Sequence, residues 1–487
     1  MKKMKKIVSL LLAMMMVFAM SATAFAADAD LTNHTYKAYQ IFKGTQATGS
    51  PSLGQIVWGN GVNSASLLAA LNENTAYASC QSAADVADVL DEFGEDSAEA
   101  RAFAKIVYNY IDGDGEDVKD GDTLPVGYYL IVDTTNVSGQ NDVKNLALLE
   151  LTGNGTVVIE NKTSVPEVVK KVQDTNDTTG ATTDWQDSAD YDINDDVPFQ
   201  LTATLGDSVS DYDTYKVVFH DTLSSGLTYN RDAVIKVDSN VVTEEFDIKY
   251  EGNKLTISCD NVKAQAVGAG DNSVITVVYT AKLNENAVIG SAGNPNTVYL
   301  EYSNNPNNSQ GGENHPTGKT PTDKVIVFTY KVVADKYTKD DQGKEIALQG
   351  AGFTLYKKNT SGEYVAVGEE VKGDAMTQFV WSGLDDGDYK LEETTVPAGY
   401  NKAEDILFTI AATHDTESVD PKLTTLTAGE LFTGVVNTGA LSTKVENNKG
   451  ATLPETGGMG TTLFYVAGLA MMFTAAGAFV ARKRMAF

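Results

Sequence analysis

The stretch "TSVPEVVKKV", residues 163 to 172, places two demands on any fold at once. Its β-branched run reads as a strand, and alternation along a strand puts Val168, Lys170 and Val172 on one face and Val169 and Lys171 on the other. Lysine is almost never fully buried unless something pairs with it. A fold that buries this strand must therefore deliver an acid or another polar group to Lys170, with Lys171 the alternate if the opposite face points inward.

The same alternation places other polar residues in apolar rows. In "YKVVFHDTL", Tyr215, Val217, Phe219, Asp221 and Leu223 share a face, and in "NTVYLEYSN" Asn296, Val298, Leu300 and Tyr302 do. The theme recurs further on: Tyr330, Val332, Ala334 and Lys336 align, then Tyr389, Leu391 and Glu393, then Thr443, Val445 and Asn447. Each block thus carries an inward Lys, an inward acid and an inward Asn, in that chain order. Asn294, Asn437 and Asn448 are alternates for the amides. The Glu393 assignment is the cleanest, because Lys390, Glu392 and Thr394 form the outward polar face.

Such a trio has a chemistry. Burial disfavours charge, so a buried lysine tends to lose its proton and a buried carboxyl to keep its own. A neutral amine is a nucleophile, and a neutral acid can hydrogen-bond an amide oxygen and polarise its carbon. Held in contact, the amine and the Asn amide could join with loss of ammonia, proximity supplying most of the acceleration. The product is an intramolecular isopeptide bond. The bland alternative is a buried polar network, against which two sets in the same order weigh.

At 487 residues the chain is long enough for about three domains. Residues 1–26 read as a secretory signal peptide: "MKKMKK" is a basic n-region, "IVSLLLAMMMVFAM" an apolar core, and Ala24 and Ala26 form the cleavage site. Residues 27–165 mix "SAADVADVLDEF" and "SAEARAFAKIVYNY", helical with Ser82 and Ser97 as N-caps, with strands "VGYYLIVDTT", "KNLALLELTG" and "GTVVIEN". Short strands and turns dominate 166–322, which is expected to be a β-sandwich closed by the polar linker "SNNPNNSQGGENHPTGKTPT". A second β-sandwich is expected over 323–452, opening with "VIVFTYKVVADKY". The fold class is therefore mainly β, tandem immunoglobulin-like sandwiches with helical insertions in the N-terminal domain.

In the tail, 453–487, the apolar run Thr461 to Val480 is long enough to span a bilayer, and "ARKRM" after it keeps that end cytoplasmic. Immediately upstream stands "LPETGG", with Leu453, Pro454, Glu455, Thr456 and Gly457. This composite resembles the sortase sorting signal of Gram-positive surface proteins, which implies cleavage between Thr456 and Gly457.

A net charge of -29 leaves nothing to neutralise phosphates and argues against nucleic acid as a partner. The two cysteines, Cys80 and Cys259, have no metal-type spacing, and the four histidines are scattered. In "DGDGEDVKDGD", Asp112 to Asp122, the sixth position of a calcium loop is Asp117 where Gly is expected, and the twelfth is Thr123 rather than an acid. It reads as a solvated acidic turn. No phosphate loop appears, and no cofactor or metal is expected.

The resemblance sharpens in the strands. "YKLEETTVPAGY" looks like the E-box of Gram-positive pilins and "LQGAGFTLYKK" like a strand of collagen-adhesin B-type domains, while "HDTLSSGLTY" and "GNPNTVYLEYSNNP" resemble the fimbrial isopeptide-formation domain. The chain resembles sortase-assembled backbone pilins along essentially its whole length. That resemblance implies bonds from Lys170 to Asn296 with Asp221 as the acid, and from Lys336 to Asn447 with Glu393 as the acid, each tying a first strand to a last. It implies an intersubunit lysine near the end of the first domain, where "VVIENKTSVP" offers Lys162, although the usual Tyr-Pro-Lys core is missing. The partners implied are a pilin-specific and a housekeeping sortase, neighbouring copies of the chain, peptidoglycan, accessory pilins and a host receptor, at the cell wall. No enzyme is expected beyond single-turnover self-crosslinking. The runner-up is a monomeric wall-anchored adhesin for a host or matrix ligand; a wall-anchored hydrolase has little support.

Overall fold

The computed structural model describes residues 27–28, 33–46, 53–94, 97–152, 156–159, 164–308, 316–450 and 465–475. The signal peptide, Lys162 and the LPETG stretch lie outside them, as do both ends of the apolar run of the tail. Among the described residues no helix is long and apolar enough to cross a membrane.

Three successive units are built on strands. In the N-terminal unit a sheet runs in the order Leu53–Trp58, Tyr36–Gln46, Gly127–Asp133, Leu148–Thr152, with Glu116–Val118 also on Tyr36–Gln46. Helices Ser64–Leu71, Ala83–Asp91 and Ala98–Tyr108 cover one face, and Leu67, Leu71, Val86, Phe103 and Val107 pack on Ile41, Leu130 and Val132. Ser82 and Ser97 are N-caps: Ser82 accepts from Asp85 N, with Asp85 returning the bond as a capping box, and Ser97 accepts from Ala100 N. Asn63 caps the first helix in the same way.

Two details depart from the sequence reading. The acidic stretch Asp112 to Asp122 contains the strand Glu116–Val118, and its turn is closed by Asp122 Oδ2 accepting from Lys119 N. "GTVVIEN" is not a strand over its described residues 156–159; Val157 N donates to Asp122 O and Ile159 N to Asp120 Oδ1, so it laces this turn down.

The middle unit is a two-sheet sandwich. One sheet runs Asn240–Val241, Val234–Val237, Val274–Leu283, Asp196–Thr204, Glu167–Val172; the other runs Asp247–Glu251, Lys254–Cys259, Val217–Leu223, Asn294–Ser303, Asp323–Phe328, Ser188–Asp190. Alternating Phe199, Leu201, Phe219, Val277, Tyr279, Val298 and Leu300 fill the space between them, as two facing sheets require. The last unit is a second sandwich, with Glu345–Ala347, Tyr330–Lys339, Ala440–Glu446 and Thr433–Val435 facing Tyr364–Ala366, Gly352–Lys358, Gly387–Thr395, Ile406–His414 and Leu423–Thr427.

"VIVFTYKVVADKY" reads as one strand but is two. Asp323–Phe328 pairs with Asn294–Ser303 and completes the middle sheet, so the boundary expected at 322/323 precedes a strand of the middle sandwich. Val325 and Val327 enter the middle core, whereas Ile326 and Phe328 enter the last one. Both faces of Asp323–Phe328 are apolar at Val325 to Phe328 because each faces a core, so alternation does not show where the chain passes from one sandwich to the next. The break comes at buried Thr329, whose hydroxyl donates to Leu384 O.

The asparagine-rich stretch is not a free linker where it is described. Asn304 Nδ2 donates to Val137 O at 2.8 Å and Asn307 Nδ2 to Asn145 O at 2.9 Å, while Asn307 Oδ1 accepts from Ala147 N at 2.7 Å. These bonds clasp the N-terminal unit to the middle sandwich, helped by Arg101 on Asp211 and Lys105 on Asp213.

Acids crowd the junction of the two sandwiches. Lys357 of the last unit donates to Asp177 and Asp192 of the middle one at 2.9 and 2.7 Å and also contacts Asp385. Beside it, Asp174, Asp190, Asp386 and His414 come together with no lysine among them. Burial, then the charges of Asp190 and Asp386, push the Asp174 carboxyl up from 3.8 to about 9. A carboxyl raised on folding stabilises the fold while protonated, and that contribution is lost as pH rises through the raised value. Thermal unfolding of the wild type should therefore show a component of stability that falls between pH 3.8 and about 9. D174N, which mimics the neutral acid, should flatten it; parallel pH profiles for the two proteins would refute this origin.

Candidate functional site

Each sandwich encloses a lysine within reach of an acid from the facing sheet, Lys170 in the middle unit and Lys336 in the last. In the middle unit Lys170 lies on Glu167–Val172, the edge strand of its sheet, and is fully buried together with Val168 and Val172. Burying an ammonium costs several kcal/mol unless the surroundings compensate it. Compensation comes across the sandwich, where Asp221 Oδ2 lies 2.6 Å from Nζ. Tyr279, on Lys170's own sheet, is 3.0 Å from Nζ through its hydroxyl. Asn296 is fully buried on the strand next to that of Asp221, and its Nδ2 donates to the Tyr279 hydroxyl at 2.8 Å. The rings of Phe199 and Tyr279 lie 5.3 and 5.4 Å from Nζ and keep water out.

The electrostatics follow from this dryness. Burial pushes the Lys170 amine below its ordinary value, with Asp221 acting the other way. Burial likewise raises the Asp221 carboxyl, opposed by Lys170 and Tyr279. Both shifts favour the neutral amine beside the neutral acid. Asp221 Oδ1 and Asn296 Oδ1 are buried without a partner, and a proton on Asp221 would turn one of these orphan acceptors into a donor.

The last sandwich has the same cast in another geometry. Lys336 on Tyr330–Lys339 and Val445 on Ala440–Glu446 are paired neighbours on parallel strands, and Asn447 follows at the end of the second strand. Lys336 Nζ donates to Asn447 Oδ1 and, at 3.0 Å, to Val445 O. Glu393 reaches in from the opposed sheet: its two oxygens accept from Asn447 Nδ2 at 2.9 and 3.1 Å, and Oε1 lies 3.7 Å from Lys336 Nζ. All three residues are buried. Burial pushes the Lys336 amine down to about 8, with Glu393 opposing, so a minor neutral fraction exists near neutral pH.

The alternates are engaged elsewhere. Lys171 bridges to Asp187 and Glu417, both at 2.8 Å, across the junction of the sandwiches. Asn294 braces a turn, accepting from Val288 N and donating to Val288 O and Val327 O. Asn437 and Asn448 are exposed. One expectation changes: Asn296 is not on the final strand of its sandwich, because Thr317–Lys319 and Asp323–Phe328 follow it and pair with its strand.

Sequence reasoning missed Tyr279. The signal was available in "VITVVYTAKL", where Ile275, Val277, Tyr279, Ala281 and Leu283 share the inner face, but a tyrosine in an apolar row is ordinary core. Among the described residues two groups have ligand atoms close enough to hold a metal, Asp174 with Asp190 and His414, and Asp177 with Asp192, Asp195 and Asp385; Asp177, Asp192 and Asp385 of the second already hold the Lys357 ammonium.

Comparison with known proteins agrees with this architecture. Residues 193–306 match the model of a Gram-positive pilin backbone subunit Cna-B-like domain, 335–425 that of a prealbumin-like fold domain, and 445–486 that of the LPXTG cell wall anchor motif. The trypsin-resistant surface T6 protein of Streptococcus pyogenes is 28% identical over 402 residues, spanning 67% of this chain and 70% of that protein. The structure of the T6 backbone pilin of serotype M6 Streptococcus pyogenes superposes with a TM-score of 0.55 at 19% identity, covering 88% of this chain and 98% of that one, and so shares its fold. A shorter match, 27% identical over 186 residues, spans 33% of this chain and 5% of platelet adherence protein A of Streptococcus gordonii. The pilin-backbone domain, the relative of matching span and the terminal anchor motif together place the chain among the sortase-assembled backbone subunits of Gram-positive pili, structural proteins held at the cell wall.

Proposed function

We propose that the chain is a self-crosslinking shaft subunit, locked by isopeptide bonds from Lys170 to Asn296 and from Lys336 to Asn447, with Asp221 and Glu393 as the acids. The observation that carries this reading is the burial of both lysines beside an acid, with the asparagine in direct contact with Lys336 and joined to Lys170 through the Tyr279 hydroxyl, in two sandwiches of different strand geometry. In each, the amine lone pair attacks the Asn side-chain carbon, the acid supplies a proton to the departing nitrogen, ammonia leaves, and the acid recovers a proton from the new amide. The carboxyl is regenerated, but the bond is made once. The protein is thus a reactant in its own maturation rather than an enzyme.

The two bonds would act differently. Lys336 and Asn447 belong to neighbouring parallel strands that begin and end the last sandwich, so tension pulls them past one another and the bond would take that load in place of the hydrogen-bonded ladder. Lys170 and Asn296 belong to opposite sheets, and their bond would pin the sandwich shut. A crosslink between residues 111 positions apart removes loop entropy worth about 4 to 5 kcal/mol in the chain-entropy account. That supplies what disulfides would supply elsewhere, since Cys80 and Cys259 are both free.

For assembly, a pilin-specific sortase would cleave after Thr456 and pass the acyl group to Lys162 of a neighbour, and a housekeeping sortase would attach the finished fibre to peptidoglycan. Accessory pilins and a host receptor complete the partners in this reading. The chain divides for this task into a signal peptide over 1–26, an N-terminal domain carrying Lys162 near its end, two crosslinked sandwiches meeting at the strand Asp323–Phe328, and the sorting segment over 453–487.

Intact mass and peptide mapping of the mature region should show a deficit of two ammonias, in peptides joining Lys170 with Asn296 and Lys336 with Asn447. A folded protein of unmodified mass would return both lysines to ordinary buried polar groups. E393A should lose the second crosslink alone and D221A the first alone, each lowering stability by about 3 to 5 kcal/mol or more through the exposed buried charge and the missing tie. Loss of both bonds in either single variant would argue against independent sites. K162A should leave the monomer folded and abolish the covalent ladder on denaturing gels of the assembled fibre; an unchanged ladder would remove Lys162 from this role.

A further inference from the structure

We infer that Tyr279 is a proton relay in the middle sandwich, carrying a proton from Asp221 to the leaving nitrogen of Asn296. This rests on the reading that Lys170 and Asn296 become joined. The Tyr279 hydroxyl stands at the centre of the site: it donates to Asp221 Oδ2 at 2.6 Å and accepts from Lys170 Nζ at 3.0 Å and Asn296 Nδ2 at 2.8 Å. A phenol has one proton to give and two lone pairs, so these bonds use its whole capacity. Its ring is held by Phe199, stacked with centroids 5.5 Å apart, and by Tyr229, edge-on at 5.5 Å.

The register explains why a relay is needed. On adjacent antiparallel strands Asp221 stands opposite Val298, and Asn296 stands opposite Leu223. The carboxyl and the amide are thus diagonal neighbours on one face, about 7–8 Å apart at the backbone. Among the hydrogen bonds of this site, none runs directly between the two side chains; their shared contact is the Tyr279 hydroxyl, reaching over from the facing sheet. In the last sandwich the acid is a glutamate, one methylene longer, projecting from the opposed sheet, and both its oxygens touch Asn447 Nδ2 directly. The shorter acid has the intermediary and the longer one does without.

The relay balances as follows. The Lys170 amine forms its bond to the Asn296 side-chain carbon, and the carbonyl pair moves onto oxygen. Tyr279 gives its hydroxyl proton to Nδ2 while taking the proton of Asp221, the carbon–nitrogen bond breaks, and ammonia departs. The Asp221 carboxylate then removes the surplus proton from Nζ, so Tyr279 and Asp221 both end as they began.

The test is the rate of each bond in protein made by cell-free synthesis, quenched in acid denaturant at successive times and mapped by mass. Tyr279→Phe keeps the ring and removes the relay. It should form the Lys336 to Asn447 bond at the wild-type rate, as an internal control of folding, and the Lys170 to Asn296 bond at least about 100-fold more slowly, the usual scale of a positioned proton transfer. Adding Asp221→Glu to that variant should recover part of the loss by letting the longer acid reach the amide itself. Equal rates for the middle bond in wild type and Tyr279→Phe would overturn the relay while leaving the crosslink standing. A wild type without the middle bond would overturn the reading beneath it as well. The wild type offers a measurement free of any variant: in heavy water the middle bond should slow more than the last one, because two hydrogens move together rather than one, and equal isotope effects would count against the relay.

Discussion

An amine in a dry core is tolerable only where the fold supplies what water would have supplied, and both sandwiches are organised around that demand. Lys170 draws Asp221 across the intersheet space and Tyr279 from its own sheet; Lys336 draws Glu393 across and holds Asn447 alongside. The apolar rows around them, Phe199 and Tyr279 in one case and Phe353 in the other, make the compensation necessary by excluding solvent. Desolvation also moves the amine and the acid of the middle sandwich toward their neutral forms, so the feature that makes these groups costly to bury is the one on which the proposed crosslink depends.

Much of this was legible because strand alternation is strict. Val168, Lys170 and Val172 had to share a face, and so did Leu391 and Glu393, whatever the sheet order. What alternation cannot carry is which sheet a strand joins. Asn296 and Asn447 look alike in sequence, yet one sits on a strand with two more to follow and the other ends its sandwich. Tyr279 was hidden for a related reason: its hydroxyl matters only because the facing sheet places Asp221 and Asn296 within its reach. The asparagines 304 and 307 read as linker because polar, turn-forming composition is shared by free loops and by loops whose amides replace backbone partners at a junction.

Bonds at both junctions tie each unit to the next. Asparagine amides clasp the first unit to the second, and Lys171, Lys357 and the surrounding carboxylates clasp the second to the third. Charge is the adjustable element here. A single ammonium on Lys357 meets Asp177, Asp192 and Asp385, while beside it burial and the charges of Asp190 and Asp386 hold the Asp174 carboxyl up, so both halves of the interface weaken as pH rises.

The strand Asp323–Phe328 also sets an order of events. A chain delivered N-terminus first has every residue of the Lys170, Asp221 and Asn296 set available before this strand emerges, but the sheet that seals them from solvent stays open at one side until Val325 and Val327 arrive. The same six residues then present Ile326 and Phe328 as a finished wall on which the last core can condense. Closure of one core and the wall of the next thus depend on one short strand.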